Sequence, residues 1–183
     1  MPERYYDLFI SYARRDRPEW VEALAANLHQ RGFELFLDAW EIGAALAIAE
    51  ELGNRSGMAG SYHQLGRVAQ QRGSYEEALD WYRKSLAIKE ELGDRAGMAS
   101  SISQIGVLFT KAGRAEEAVP WNLRSLGIRL QIQVPEIRLN LHWLGRQREA
   151  LGEERFREIL REHLDEKSAG NVLRMLEEPP GQE

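Results

Sequence analysis

His29, His63, His142 and His163 are the side chains of this sequence best suited to metal or acid–base chemistry. No two of them stand four residues apart and none belongs to a His-Glu-x-x-His run, so no helix face presents paired imidazoles to a metal ion. The chain has no cysteine, which removes thiol nucleophiles, disulfides and Cys-ligated zinc or iron–sulfur sites. That absence fits a reducing, cytoplasmic setting. No Gly-x-x-x-x-Gly-Lys-Ser/Thr loop is present to cradle a phosphate. Serine, histidine and aspartate all occur, yet nothing in their order fixes a nucleophilic triad, which is a matter of geometry. The glutamate pairs Glu76-Glu77 and Glu153-Glu154 read as solvated first-turn residues, where the helix dipole favours anions, rather than as acid/base pairs. The expectation is therefore no catalytic residue, no metal and no cofactor.

The bulk numbers agree with a non-catalytic reading. The 183 residues carry 24 basic and 29 acidic side chains, a net charge of −5, which argues against nucleic-acid or anionic-membrane partners. Hydrophobic residues make up 43%, enough to bury a core in one ordinary domain or two small ones. No apolar run approaches the roughly 18 residues of a membrane span. The first residues lack the basic-then-apolar order of a secretory signal.

The elements that must position any site emerge from self-comparison. Residues 46–85 match residues 86–125 at 20 of 40 positions without a gap. Leu-Ala-Ile, Glu-Glu-Leu-Gly, Gly-Met-Ala and Glu-Glu-Ala all recur, as do Gly66/Gly106, Gly73/Gly113 and Trp81/Trp121. A weaker third copy follows one residue out of step, with Leu144-Gly145 and Gly152. A fixed period of this size signals stacked units. Each unit reads as two helices. Residues 58–71 space Met58, Tyr62, Leu65 and Ala69 on one face, Gly73 breaks the pattern, and residues 75–91 space Tyr75, Ala78, Leu79, Tyr82 and Leu86, with Leu92 continuing that face. Gly53 and Gly93 sit where helix caps do. Pro120 should kink or shorten the second helix of the second unit. The tryptophans read as packing residues. Residues 153–164 and 168–178 read as amphipathic capping helices, and 179–183 as a frayed tail.

The repeat resembles the tetratricopeptide repeat (TPR), on Tyr62, Leu65-Gly66, Ala69, Gly73-Ser74-Tyr75, Ala78 and Tyr82. The second copy keeps Ile102, Ile105-Gly106, Gly113 and Ala118, but has Ala115 and Asn122 where aromatics belong. The third keeps Leu141, Leu144-Gly145 and Gly152. The resemblance implies an α-solenoid of helix-turn-helix units over residues 44–160, closed by a capping helix at 161–178. It also implies a partner-binding concave face carried by His63, Arg67 and Gln70, then Ser103, Val107 and Thr110, then His142, Arg146 and Glu149. That mixture of arginine, histidine and polar groups suits a protein or peptide segment with acidic character.

Residues 1–43 differ. Residues 6–13 read as a short buried strand, Asp16-Arg17-Pro18-Glu19 as a helix start, Trp20, Val21, Leu24 and Leu28 as its apolar face, and residues 33–37 as a second strand. This βαβ order resembles the start of a TIR (Toll/interleukin-1 receptor type) domain. The matching residues are Asp7-Leu8-Phe9-Ile10-Ser11-Tyr12-Ala13 with Asp16, then Phe36-Leu37-Asp38-Ala39-Trp40-Glu41-Ile42-Gly43. The family's remaining three strands have no counterpart before the repeats begin, nor does the helix that bears its catalytic glutamate. The resemblance implies at most a vestigial nucleotide site at Ser11, Tyr12, Arg14 and Asp16; the plainer reading is that these residues cap and orient the first helix. So small a βαβ unit should lean on the first repeat helix or on another sheet edge, a route to self-association. The expected function is an adaptor or scaffold in intracellular signalling. The alternatives are a TIR-type NAD hydrolase completed by another chain, and a non-functional fragment of a longer TIR–TPR protein.

Overall fold

The computed structural model describes residues 34–178. They form α1 (Glu34–Glu51), α2 (Arg55–Gln71), α3 (Tyr75–Leu92), α4 (Arg95–Lys111), α5 (Ala115–Gln131), α6 (Ile137–Leu151), α7 (Glu153–His163) and α8 (Glu166–Glu177). No strand occurs among the described residues.

The 40-residue period of the sequence is the period of the helices. Asn54 and Asp94 accept hydrogen bonds from the backbone N–H of Gly57 and Gly97, each at 2.9 Å, and so start α2 and α4. Gly73 and Gly113 turn the chain at φ +78° and +75°, where a side chain would be strained, and α3 and α5 follow. The resulting hairpins α2–α3 and α4–α5 pack side by side, and α6 stacks on α5. Their core joins Ala69, Tyr82, Leu86, Ile102, Ile105 and Leu108. A second core joins Val119 and Leu126 of α5 with Leu144, Phe156, Leu160 and Val172, so α7 and α8 pack on the end of the stack, with a break between them where one capping helix over 161–178 was expected.

Polar contacts repeat with the same period. The Ser85 hydroxyl donates to the Ala59 carbonyl at 2.7 Å, and Ser125 to that of Ala99 at 2.8 Å. Arg55 pairs with Glu91, as Arg95 bonds Gln131. Glu76 meets Arg114 at 3.7 Å, and Glu116 meets Arg155 at 2.9 Å. The serine, Arg55 and Arg95 contacts thus recur inside successive units, and the Glu76–Arg114 and Glu116–Arg155 pairs join each unit to the next in a repeated register, the hallmark of a solenoid.

Several expectations need correction. Residues 34–37 are the first turn of α1, not a strand. The sequence there, Glu-Leu-Phe-Leu-Asp-Ala-Trp-Glu, is mostly of good helix formers, and helix satisfies the backbone without a neighbouring strand. The proposed first strand at 6–13, the helix over 16–32, Ser11, Tyr12, Arg14 and Asp16, and the tail at 179–183 lie outside the described residues. Pro120 neither shortens nor ends α5, which runs from Ala115 to Gln131; the proline forfeits one backbone bond, while Ala118 and Val119 beside it are fully buried. Leu92 is 49% exposed, because it is the last residue of α3 and precedes the left-handed Gly93. Trp81 and Trp121 pack against the core. Trp81 stacks on Tyr62 with ring centroids 5.6 Å apart, and the Lys84 ammonium sits 4.3 Å from the Trp81 centroid.

Candidate binding surface

The first helices of the three units, α2, α4 and α6, carry the nine residues singled out for partner binding, and the structure divides them. On α2, Arg67 is exposed, whereas His63 and Gln70 are half-buried and engaged. Gln70 accepts from the Tyr82 hydroxyl at 3.0 Å. The His63 ring lies 5.2 Å from that of Tyr82, and its Nδ1 is 3.2 Å from the Ser101 hydroxyl. Burial, then the positive charges of Lys89 and Arg67, push the His63 pKa down to about 4.

Ser101 is the centre of a small network. Lys89 donates to its oxygen at 3.0 Å, and Ser85 lies 3.3 Å away. The Ser85 proton goes to Ala59, so Ser101 donates to Ser85 and accepts from both Lys89 and His63. That bonding assigns the proton of neutral His63 to Nδ1. Forty residues on, Arg129 repeats Lys89: its Nη1 donates to Asn140 and, at 3.2 Å, to the Glu136 carbonyl. Burial lowers the pKa of both cations, against the opposing pull of Asp94 on Lys89 and of Glu136 on Arg129.

On α4 the expectation of an open face fails. Ser103 and Val107 are 0% and 3% exposed, so a partner cannot reach them in this arrangement. Thr110 is half-buried, donating to the Gly106 carbonyl at 2.8 Å and accepting from Gln147 of α6 at 2.7 Å. Contact between α4 and α6 leaves little room between these units. On α6, by contrast, His142, Arg146 and Glu149 are exposed and line one cleft of about 950 Å³. Leu141, Met175 and Leu176 supply its apolar lining; Arg138 and Arg148 add positive charge, though Arg148 is tied to Glu153.

Two overlapping stretches of the chain, residues 43–91 and 57–131, match the family model for the tetratricopeptide repeat. Residues 8–59 match that for the TIR domain. The chain is a TPR protein with a TIR-like N-terminal part. No curated protein matches it. The two matches overlap over residues 43–59, which hold the end of α1, the turn at Gly53 and the start of α2.

Some features of this TPR stack escaped the sequence reading. Lys89 and Arg129 look like surface cations, but they recur at the same place in two units beside the apolar Leu86 and Leu126, a signal of burial. Asn122 stands where Tyr82 stands in the first unit, and both its amide atoms are buried without a partner, as are Ser103 Oγ and Gln147 Oε1. Among the described residues no cluster of three His, Asp or Glu side chains could hold a metal ion. None of the described helices is long and apolar enough to cross a membrane.

Proposed function

We propose that this protein is a non-enzymatic adaptor of intracellular signalling that captures a protein or peptide segment of acidic–aliphatic character. The TPR units support the interaction role, and the TIR-like part supports signalling. The observation that carries the ligand's chemistry is the cleft on α6, where His142 and Arg146 stand beside Leu141, Met175 and Leu176. A carboxylate can pair with the guanidinium while a neighbouring aliphatic side chain buries against the leucines. Arg67, exposed on α2, places a further positive charge on the first unit. The test is capture of partners by the intact protein, compared with Arg67→Glu/Arg146→Glu and with Arg83→Glu/Arg161→Glu, exposed sites outside the cleft, as a charge-matched control. Loss of partners only in the double variant supports the reading. An unchanged set of partners in all three removes it.

The match to the TIR model favours a second reading, NAD hydrolysis completed by another chain. Incubation with NAD, alone and with a full TIR domain, separates the two: nicotinamide release would establish an enzyme, and none in either arm would exclude one.

A further inference from the structure

One surface patch of the first unit, α2–α3, does not recur in the second. Tyr62 of α2 and Trp81 of α3, both half-buried, stack with planes 19° from parallel. The Lys84 ammonium, on an exposed side chain, stands over both rings, 4.3 Å from the Trp81 centroid and 5.8 Å from that of Tyr62. Each ring also donates to a carboxylate. The Tyr62 hydroxyl bonds Glu50 of α1 at 3.2 Å, and the Trp81 indole nitrogen bonds Glu77 at 3.3 Å. Anionic acceptors at the ring edges add to the negative potential that draws cations to the faces.

Forty residues on, the same positions are used differently. Ile102, fully buried, replaces Tyr62; Trp121 keeps the place of Trp81; Arg124 stands where Lys84 does. Arg124 donates to Glu90 at 2.7 Å, and Glu90 is the equivalent of Glu50. Lys84 therefore stands on the rings, while the carboxylate that its counterpart uses accepts from the Tyr62 hydroxyl instead. A carboxylate has lone pairs for both donors, so Glu50 offers Lys84 a second resting place.

We propose that the Tyr62–Trp81 pair is a seat for an arginine side chain of a partner segment, with Lys84 as a tethered stand-in that turns to Glu50 when the guanidinium arrives. Two stacked rings make a platform rather than a cage, which suits a planar guanidinium better than a globular quaternary ammonium. Glu77, exposed at the edge of Trp81, can accept from the guanidinium's remaining N–H groups. Arg55, whose charge also reaches Tyr62, is held by Glu91. The seat shares no residue with the α6 cleft and stands whatever that cleft binds.

The test uses the full-length protein with isotope-labelled tryptophan, Trp81→Phe assigning the Trp81 indole signal. The probes are acetyl-Ala-Arg-Ala-amide and its citrulline analogue, which keeps the shape and loses the charge. The Trp81 signal should shift with the arginine peptide and not with the citrulline peptide, while that of Trp121 stays in place. Lys84→Met removes the tethered competitor and should tighten binding of the arginine peptide about two- to fivefold, the worth of one exposed cation–π contact. No Trp81 shift in either protein overturns the proposal. Equal shifts with citrulline or at Trp121 overturn it too, as does an affinity that Lys84→Met leaves unchanged or weakens.

Discussion

Tyr82 presses its ring against Gly66: a Cβ at position 66 would stand 2.7 Å from two ring carbons. The contact sets the spacing of α2 and α3, since the glycine's missing side chain is the space that the aromatic ring fills. Gly106 and Asn122 repeat the arrangement, with a Cβ at 106 falling 2.7 Å from the amide nitrogen.

Two glycines of α2 should therefore respond oppositely to alanine. Gly66→Ala must move a fully buried tyrosine and should cost ~1–3 kcal/mol. Gly60→Ala meets nothing within 4 Å and should gain ~0.5–1 kcal/mol through helix propensity alone. Urea midpoints of the two variants check this; a shift of the same sign in both would show that Tyr82 does not set the helix spacing.

The repeats were legible because their determinants are local. A turn needs glycine at Gly73 and Gly113, a cap needs Asn54 or Asp94, and an apolar stripe needs only its own spacing. Residues 34–37 were misread for the opposite reason: the apolar Leu-Phe-Leu passes for a short buried strand although Glu and Leu favour helix, and the choice depends on whether strand neighbours exist. Among the site residues, equivalent places on successive first helices differ in exposure: His142 and Arg146 on α6 are open, whereas Ser103 and Val107 on α4 are closed. Position within a unit gave the face but not what covers it.

His63 should make folding pH-dependent. Above pH 6.5 the imidazole is neutral in both states. Between 6.5 and about 4 the unfolded chain binds a proton that the folded chain refuses, so stability falls as pH drops and levels off below about 4. The full loss from this group is at most ~3 kcal/mol. His63→Phe keeps a ring beside Tyr82 and removes the titration, so its stability relative to wild type should rise as pH falls through that window. Glu116, Glu117, Glu153 and Asp165, whose pKa values are lowered by hydrogen bonds from Arg155, Arg114, Arg148 and Ser168 respectively, act alike in both proteins and cancel in the difference. A flat difference curve would show that His63 is solvated in the folded state.

Lys89 and Ser101 allow the worth of the buried network to be separated from its cost. Lys89 is 8% exposed and its ammonium bonds a hydroxyl rather than a carboxylate, so its desolvation is only partly offset. Lys89→Met keeps the length and removes the charge, and should leave stability unchanged or raise it by up to ~2 kcal/mol. Ser101→Ala keeps the charge and removes its acceptor, along with that of His63, and should cost ~1–3 kcal/mol. In the double variant most of that cost should vanish, because no ammonium is left wanting an acceptor. A double-mutant cycle from thermal or denaturant unfolding measures the coupling. If the two changes simply add, the ammonium does not depend on Ser101, and the recurrence of a cation at Arg129 reflects the shape of the side-chain stem rather than its charge.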